Sequence, residues 1–422
     1  MSRRRQIELM ILTAWAMTAG TFQLFVGVVL AANLIDEFDI NRWEIGVLGA
    51  VNTGVGALVA PRLGRVADRL GVRRSMVAVN LVSALGFLMT SLAFSYWVLL
   101  AASVVAGVPQ GASNSVTNKV IADEVPPGMQ GSVTGVKQSG VQFAVFLSGA
   151  ILPPAAATIG WRPALAAMAV VTAAIAVVTH FRFAPDRMTA TGADREVDRS
   201  AAGVTRLDPL VRQVALYALL LGMTAGGMTR FYPLFAHEVL GYSETTAGLA
   251  VSIAGLVAIA ARVIWGRLVD DVIAARPALL LLALGSAVSA GLLLAAQSVG
   301  AWLLWPTVVI IAFTVVAWNV VAMLTVIRQV PRTMSGRATG VVLLGFLGGL
   351  TLSAPLVGYS VDRFGSYRPA WTSLLVLALL GAVVVARRPE RTSARQVGSG
   401  RVRRSRRILP REVRGRAERS SS

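Results

Sequence analysis

The chain contains no cysteine and only two histidines, His180 and His237, in 422 residues. A disulfide framework, a thiolate nucleophile and a cysteine-ligated metal are thereby excluded, and redox chemistry says nothing about the compartment. A histidine-based metal or catalytic cluster lacks material too, because the two rings lie far apart in sequence. Charge is equally scarce: Asp, Glu, Lys and Arg make up 14% of the chain, against about 25% in soluble domains. Lysine occurs only as Lys119 and Lys137, and arginine supplies every other cation. The 21 acidic residues fall in connections, tails or the last turns of apolar runs, with Glu8, Asp123 and Glu238 the nearest to a run's middle.

What fills the chain is aliphatic. Hydrophobic residues reach 55% and mean hydropathy is +0.66, which argues against a soluble enzyme and against disorder over most of the length. A helix needs about 20 apolar residues to cross roughly 30 Å of hydrocarbon, and helices satisfy their own backbone there. Twelve such runs are present, at 7–32, 44–63, 76–95, 97–121, 131–153, 163–182, 212–236, 245–265, 277–297, 302–327, 337–358 and 369–387. The first is too long for the core of a secretory signal. The expected class is all-α and integral to the membrane, with twelve transmembrane helices in two six-helix bundles.

Positive charge sets the expected orientation, because Lys- and Arg-rich connections stay in the cytoplasm. Of the 40 cations, 20 lie in one alternating set of connections and 13 more in the tail from Arg387, against four in the opposite set. Both termini are therefore expected in the cytoplasm, and the net charge of +19 is a topology signal rather than a sign of nucleic-acid binding. Residues 1–182 and 212–387 read as the bundles, 183–211 as a cytoplasmic linker, and 388–422 as a disordered, Arg-rich tail able to rest on anionic lipid.

The two halves repeat each other. Val125–Val136 (VPPGMQGSVTGV) matches Val330–Val341 (VPRTMSGRATGV) at 7 of 12 positions, and the same offset pairs Asn114 with Asn319. Trp161-Arg162-Pro163-Ala164 answers Tyr367-Arg368-Pro369-Ala370, and GRVAD from Gly64 answers GRLVD from Gly266. Each match falls at the same span boundary in its half, which describes a parallel six-helix repeat with a cavity between the copies.

With these residues the sequence resembles the major facilitator superfamily of secondary transporters over about Met10 to Arg388. GRVADRLGVRR, Gly64 to Arg74, is similar to that family's loop between its second and third helices, and GRLVDD and LVGYSVDRFGSYRP are similar to other family patterns. The resemblance implies conformational gating at Gly64, Asp68, Arg69, Gly71, Arg73, Arg74, Gly266 and Asp270, with Asp68 bonding to the amino terminus of the eleventh helix or to an Arg. The family's drug/proton antiporters carry an Arg three positions before a Gln-Gly pair. Here Gln110-Gly111 is preceded by Gly107, and Gly149 with Pro153-Pro154 replaces the fifth-helix signature. Proton-coupled drug efflux is disfavoured by those departures.

An ionisable group inside a span is expensive, so it is a functional candidate. Lys137 lies about six residues, roughly 9 Å, inside the fifth span, and its neighbours Gln138 and Gln142 share a helix face. This Lys-Gln pairing resembles the superfamily's cyanate and small-anion branch. Arg230 stands in the seventh span beside Tyr232 and Pro233, where guanidinium suits a carboxylate or phosphate. Lys137 and Arg230 are expected to clamp an anion between the halves; the competing reading is that each snorkels to an interface, as expected of Lys119. Gln23, Asn52, Asn114 and Asn319 are candidate cavity-lining groups or interhelical bonding partners. The glycine clusters at Gly222, Gly226, Gly227, Gly345, Gly348 and Gly349 are expected to be close-packing positions rather than phosphate loops.

The sequence thus points to a secondary transporter in the cell membrane, working by alternating access on a small organic anion, with coupling to protons through the substrate, Glu8, Glu238 or His237. Export of amphipathic drugs or metabolites, or a non-transporting receptor with the same fold, are the alternatives. No enzyme activity, cofactor, metal or nucleic-acid partner is expected, and the chain is expected to be a monomer.

Overall fold

A computed structural model describes residues 2–184, 209–329 and 335–387. The middle of the expected linker and the Arg-rich tail lie outside them. Helices follow the apolar runs closely: α1 (Arg3–Val29), α2 (Ala31–Phe38), α3 (Arg42–Leu70), α4 (Val72–Ser91), α5 (Tyr96–Glu124), α6 (Gln130–Ile159), α7 (Trp161–Arg182), α8 (Pro209–Glu238), α9 (Glu244–Asp271), α10 (Ala275–Val299), α11 (Leu304–Thr314), α12 (Trp318–Gln329), α13 (Ser335–Phe364) and α14 (Arg368–Ala386). Among the described residues, eleven helices are long and apolar enough to span a membrane.

The run at 302–327 is a single span in composition but two helices in the fold, α11 and α12. At the break the Val316 amide bonds to the Ile311 carbonyl, an i to i−5 step that widens the turn. The freed Phe313 carbonyl accepts from the Trp265 indole of α9 at 2.7 Å. A side chain thus satisfies backbone that lipid cannot. At the other extreme, α3 and α4 follow each other with no loop. Gly71 alone joins them, at φ +84°, where a side chain would be strained.

The first six spans pack chiefly among themselves, as do the last six, and the halves meet along α3 against α13 and α6 against α9. At one end the two cores merge: Phe22, Leu34, Leu48 and Leu152 belong to the same apolar cluster as Phe231, Phe235, Val357 and Trp371. At the other end, which carries the Arg-rich connections, the cores are separate, one around Met76 and Val120 and one around Tyr217 and Trp318. Among the described residues, the apolar core is thus continuous between the halves at the first end and divided at the basic end.

Backbone contact enforces the closure. A methyl on Gly46 would stand 2.5 Å from the Ala354 carbonyl oxygen, and on Gly149 it would stand 2.2 Å from that of Gly248. Gly222, Gly226, Gly345 and Gly349 are equally crowded, between α8 and α13, whereas Gly348 has only one ordinary contact. These glycines let helices touch backbone to backbone.

The repeat is visible in bonding. In the first half Trp161 Nε1 donates to Glu37 at 2.6 Å, and in the second the Tyr367 hydroxyl donates to Glu238 at the same distance. Each aromatic opens the last helix of its half; Glu37 lies in α2, just after the first helix of its half, and Glu238 ends α8.

Candidate functional site

Between the halves lies a cavity of about 250 Å³, walled by α1, α6, α8, α9, α11, α12 and α13. Most of its wall is aliphatic or aromatic; Gln142, Thr229, Arg230, Tyr232, Arg262 and Asn319 supply most of the polar side chains. No Asp or Glu is among the described residues lining it. A second cavity of about 190 Å³ adjoins it through Gln142 and Arg262 and includes Gln138 and Ser139.

Of the sequence candidates, Arg230, Tyr232, Gln142 and Asn319 therefore meet in one wall, with Gln138 next door. Arg230 crosses between the halves. Its Nη2 donates to Thr53 Oγ1 at 2.9 Å, and its guanidinium lies so close to Gly49 that a methyl there would stand 1.5 Å from Nη1. Asn319 Oδ1 is buried without a hydrogen-bond partner.

Lys137 stands elsewhere. Its side chain is wholly buried inside the first half, where Nζ donates to Asn114 Oδ1 at 2.9 Å and to Asn118 Oδ1. It lines neither cavity, and it does not meet Arg230 in this conformation. Gln23 is also apart: its Nε2 donates to Thr90 at 2.5 Å, beside a water-sized cavity of about 30 Å³ that Asn52 and Arg230 also line. Lys119 pairs with Asp123 at 3.0 Å and Asp68 at 3.9 Å.

Two cations were not read as site residues in the sequence. Arg262, one of the 20 cations of the basic set, lies within α9, nine residues before Asp271, with a buried Nε lacking a partner. It falls within the apolar run 245–265, and that position is its signal in the sequence. Arg42 is one of the four cations in the sparse set of connections. It forms a two-pronged pair with Glu238, Nε to Oε2 at 3.0 Å and Nη2 to Oε1 at 2.8 Å, and reaches Asp362 at 3.3 Å. Burial, and then the neighbouring Glu238 carboxylate, push the Tyr367 hydroxyl well above its usual range, so it stays a donor to that carboxylate. This cluster joins the halves at the closed end. At the basic end Arg5 pairs with Glu124 and Arg182 with Glu8, both within the first half.

The loop motif forms the end of α3 and the start of α4. Gly64 makes ordinary contact with Ser115, Asp68 and Arg69 are exposed, and Gly71, Arg73 and Arg74 follow at the helix join. Gly266 and Asp270 lie in the last turns of α9, at its basic end. At Gly107, where the drug antiporters carry Arg, any side chain would stand 2.7 Å from the Asn52 carbonyl oxygen, so α3 and α5 exclude one.

Comparison with known proteins agrees with this architecture. The chain is 26% identical over 228 residues to the multidrug resistance protein MdtG of Dickeya zeae, covering 53% of this chain and 54% of that protein. A hexuronate transporter of Bacillus subtilis is 27% identical over 128 residues, 30% of each chain. A probable sulfoacetate transporter, SauU of Cupriavidus necator, is 23% identical over 376 residues, 81% of this chain and 84% of that one. The match thus spans about half of the first relative and less than a third of the second. In fold, the chain is similar to a bacterial homolog of the human lysosomal transporter Spinster, with TM-score 0.74, 16% identity and coverage of 92% and 97%. The nucleoside transporter NupG is similar with TM-score 0.72, 12% identity and coverage of 90% and 99%. Residues 10–349 match the family description directly, and the chain belongs to the Major Facilitator Superfamily.

Proposed function

We propose that this chain is a secondary active transporter of a small organic anion, working by alternating access between its two halves. One observation carries the reading: two arginines, Arg230 and Arg262, stand in the wall of the cavity between the halves, and no carboxylate among the described residues lines it. A cation in an apolar wall without a counterion favours an anionic visitor. Lys137, one turn before the cavity residue Val141, adds positive potential from behind Asn114 and Asn118. The basic end faces the cytoplasm, both termini with it, in the cell membrane. The described conformation then corresponds to the inward-open step, and the Arg42, Glu238 and Asp362 cluster to the outer gate. Protonation of the substrate itself suits proton coupling, because no carboxylate among the described residues stands in the cavity wall.

Counterflow in proteoliposomes tests this. Exchange of organic acids, uncompeted by lipophilic cations, is expected. The aliphatic wall favours a second reading, export of amphipathic molecules; competition by lipophilic cations but not by acids would select it. Absence of all exchange would leave a receptor.

A further inference from the structure

Resting on the organic-anion reading, we propose that the cavity takes a monoanion with one flat apolar body, of the aryl carboxylate or aryl sulfonate class. Arg262 holds the charge, and Phe346, backed by the buried Trp318, meets the body together with the neighbouring leucines.

The charge is counted first. The two guanidiniums of the wall are not equivalent, because Arg230 already donates to Thr53 and lies against Gly49. Arg262 has a buried Nε with no partner and faces both cavities. One free guanidinium fork suits one carboxylate or sulfonate. A second anionic group would have to compete with Thr53 for Arg230, which is already held against Gly49.

The body follows from the wall. Trp318 of α12 and Phe346 of α13 stack with ring centroids 4.2 Å apart and planes 27° from parallel, beside Leu343, Leu347 and Leu350 in the same lining. A polyhydroxylated acid would bring several hydroxyls into this wall, each losing water with too few partners. A two-carbon acid would satisfy Arg262 and leave the Phe346 and leucine surface uncovered. An aryl ring satisfies both.

A third point comes from the repeat. Asn114 gives its Oδ1 to Lys137, but the position related to Lys137 at the same offset is Val342. Asn319 Oδ1 therefore stays unpartnered in the cavity wall. A ring N–H or hydroxyl on the ligand would supply the donor it lacks.

The test is binding of radiolabelled 2-naphthoate to the purified full-length protein, with competitors. Saturable binding is expected, displaced by naphthalene-2-sulfonate and not by 2-naphthamide or tetraphenylphosphonium, with sulfoacetate and glucuronate at least about tenfold weaker. Arg262→Gln should weaken binding about tenfold or more and Arg262→Lys should recover part of it, with thermal melting confirming that each variant is folded. If sulfoacetate or glucuronate binds and the aryl acids do not, the flat-body proposal falls while the organic-anion reading stands. If only tetraphenylphosphonium binds, or nothing does, both fall. Unchanged naphthoate affinity in folded Arg262→Gln would overturn the assignment of Arg262.

Discussion

Asp362, in the last turns of α13, closes the first turn of α3, where Arg42 begins the helix. Its carboxylate accepts the backbone amide of Arg42 at 3.3 Å and that of Trp43 at 2.8 Å, and the Arg42 guanidinium at 3.3 Å. Asn41 takes the next amide, of Glu44, at 3.0 Å. A carboxylate from the second half thus completes the cap of a helix in the first, at the positive end of that helix's dipole. The residues around it, Gly358-x-x-x-Asp362-Arg363-x-Gly365, match Gly64-x-x-x-Asp68-Arg69-x-Gly71 at the opposite end of α3. Here Asp68 is exposed and 3.9 Å from Lys119. The shared pattern places one such aspartate at each end of the α3–α13 pair, where closure would bring it to the partner's first turn.

The first prediction concerns this contact. Asp362→Asn or Arg42→Gln should shift the molecule toward opening at the now closed end, by about 1 to 2 kcal/mol for a partly buried charged network. That corresponds to roughly 5- to 30-fold. Because the chain has no cysteine, Ala354→Cys, wholly buried opposite Gly46, gives a single reporter. Its maleimide labelling should accelerate in either variant, and unchanged labelling would count against the latch.

Closure should also fail sterically. Gly149→Val puts branched bulk where a methyl alone would stand 2.2 Å from the Gly248 carbonyl oxygen. Exchange in proteoliposomes is expected to be lost, with insertion and folding retained, because each half packs within itself. Gly291→Ala is the control: nothing lies within 4 Å of its added methyl, and helix propensity favours it by about 1 kcal/mol.

Lys137 is expected to matter for stability in a particular order. Asn118→Leu removes an acceptor from a buried cation and should cost about 2 to 3 kcal/mol. The double variant with Lys137→Met removes the cation as well and should melt higher than Asn118→Leu alone. Thermal melting in detergent reads the order; equal melting of the two would show that the ammonium does not depend on Asn118.

Trp265→Phe keeps the aromatic bulk and removes the donor to the Phe313 carbonyl. The orphaned carbonyl should cost about 1 to 3 kcal/mol. A melting loss below a few tenths would mean that the α11–α12 break satisfies itself by another route.

How much of this was legible varies with the interaction. Hydropathy located every long helix, because an apolar run of that length has one solution in lipid. It missed the interruption at 315–317, since Val315 and Val316 carry no proline or glycine signal and the break is held by Trp265, about 50 residues earlier. The repeat anticipated that Trp161 and Tyr367 occupy matching places. It did not anticipate that Lys137 and Asn114, both candidates for the cavity, bond each other inside one half.

The sequence by itself determined the number of spans, the charge asymmetry between the two faces and the duplication, because each follows from local hydropathy, charge counts or self-similarity. Only the tertiary structure decided which way each charged helix face turns. Arg262 reaches the cavity, Lys137 turns into its own half, and Arg42 finds Glu238 and Asp362 across 196 and 320 residues. The physical reason is rotation: the apolar lining that satisfies lipid fixes a helix's length and depth, while its azimuth is set by the neighbours it packs against.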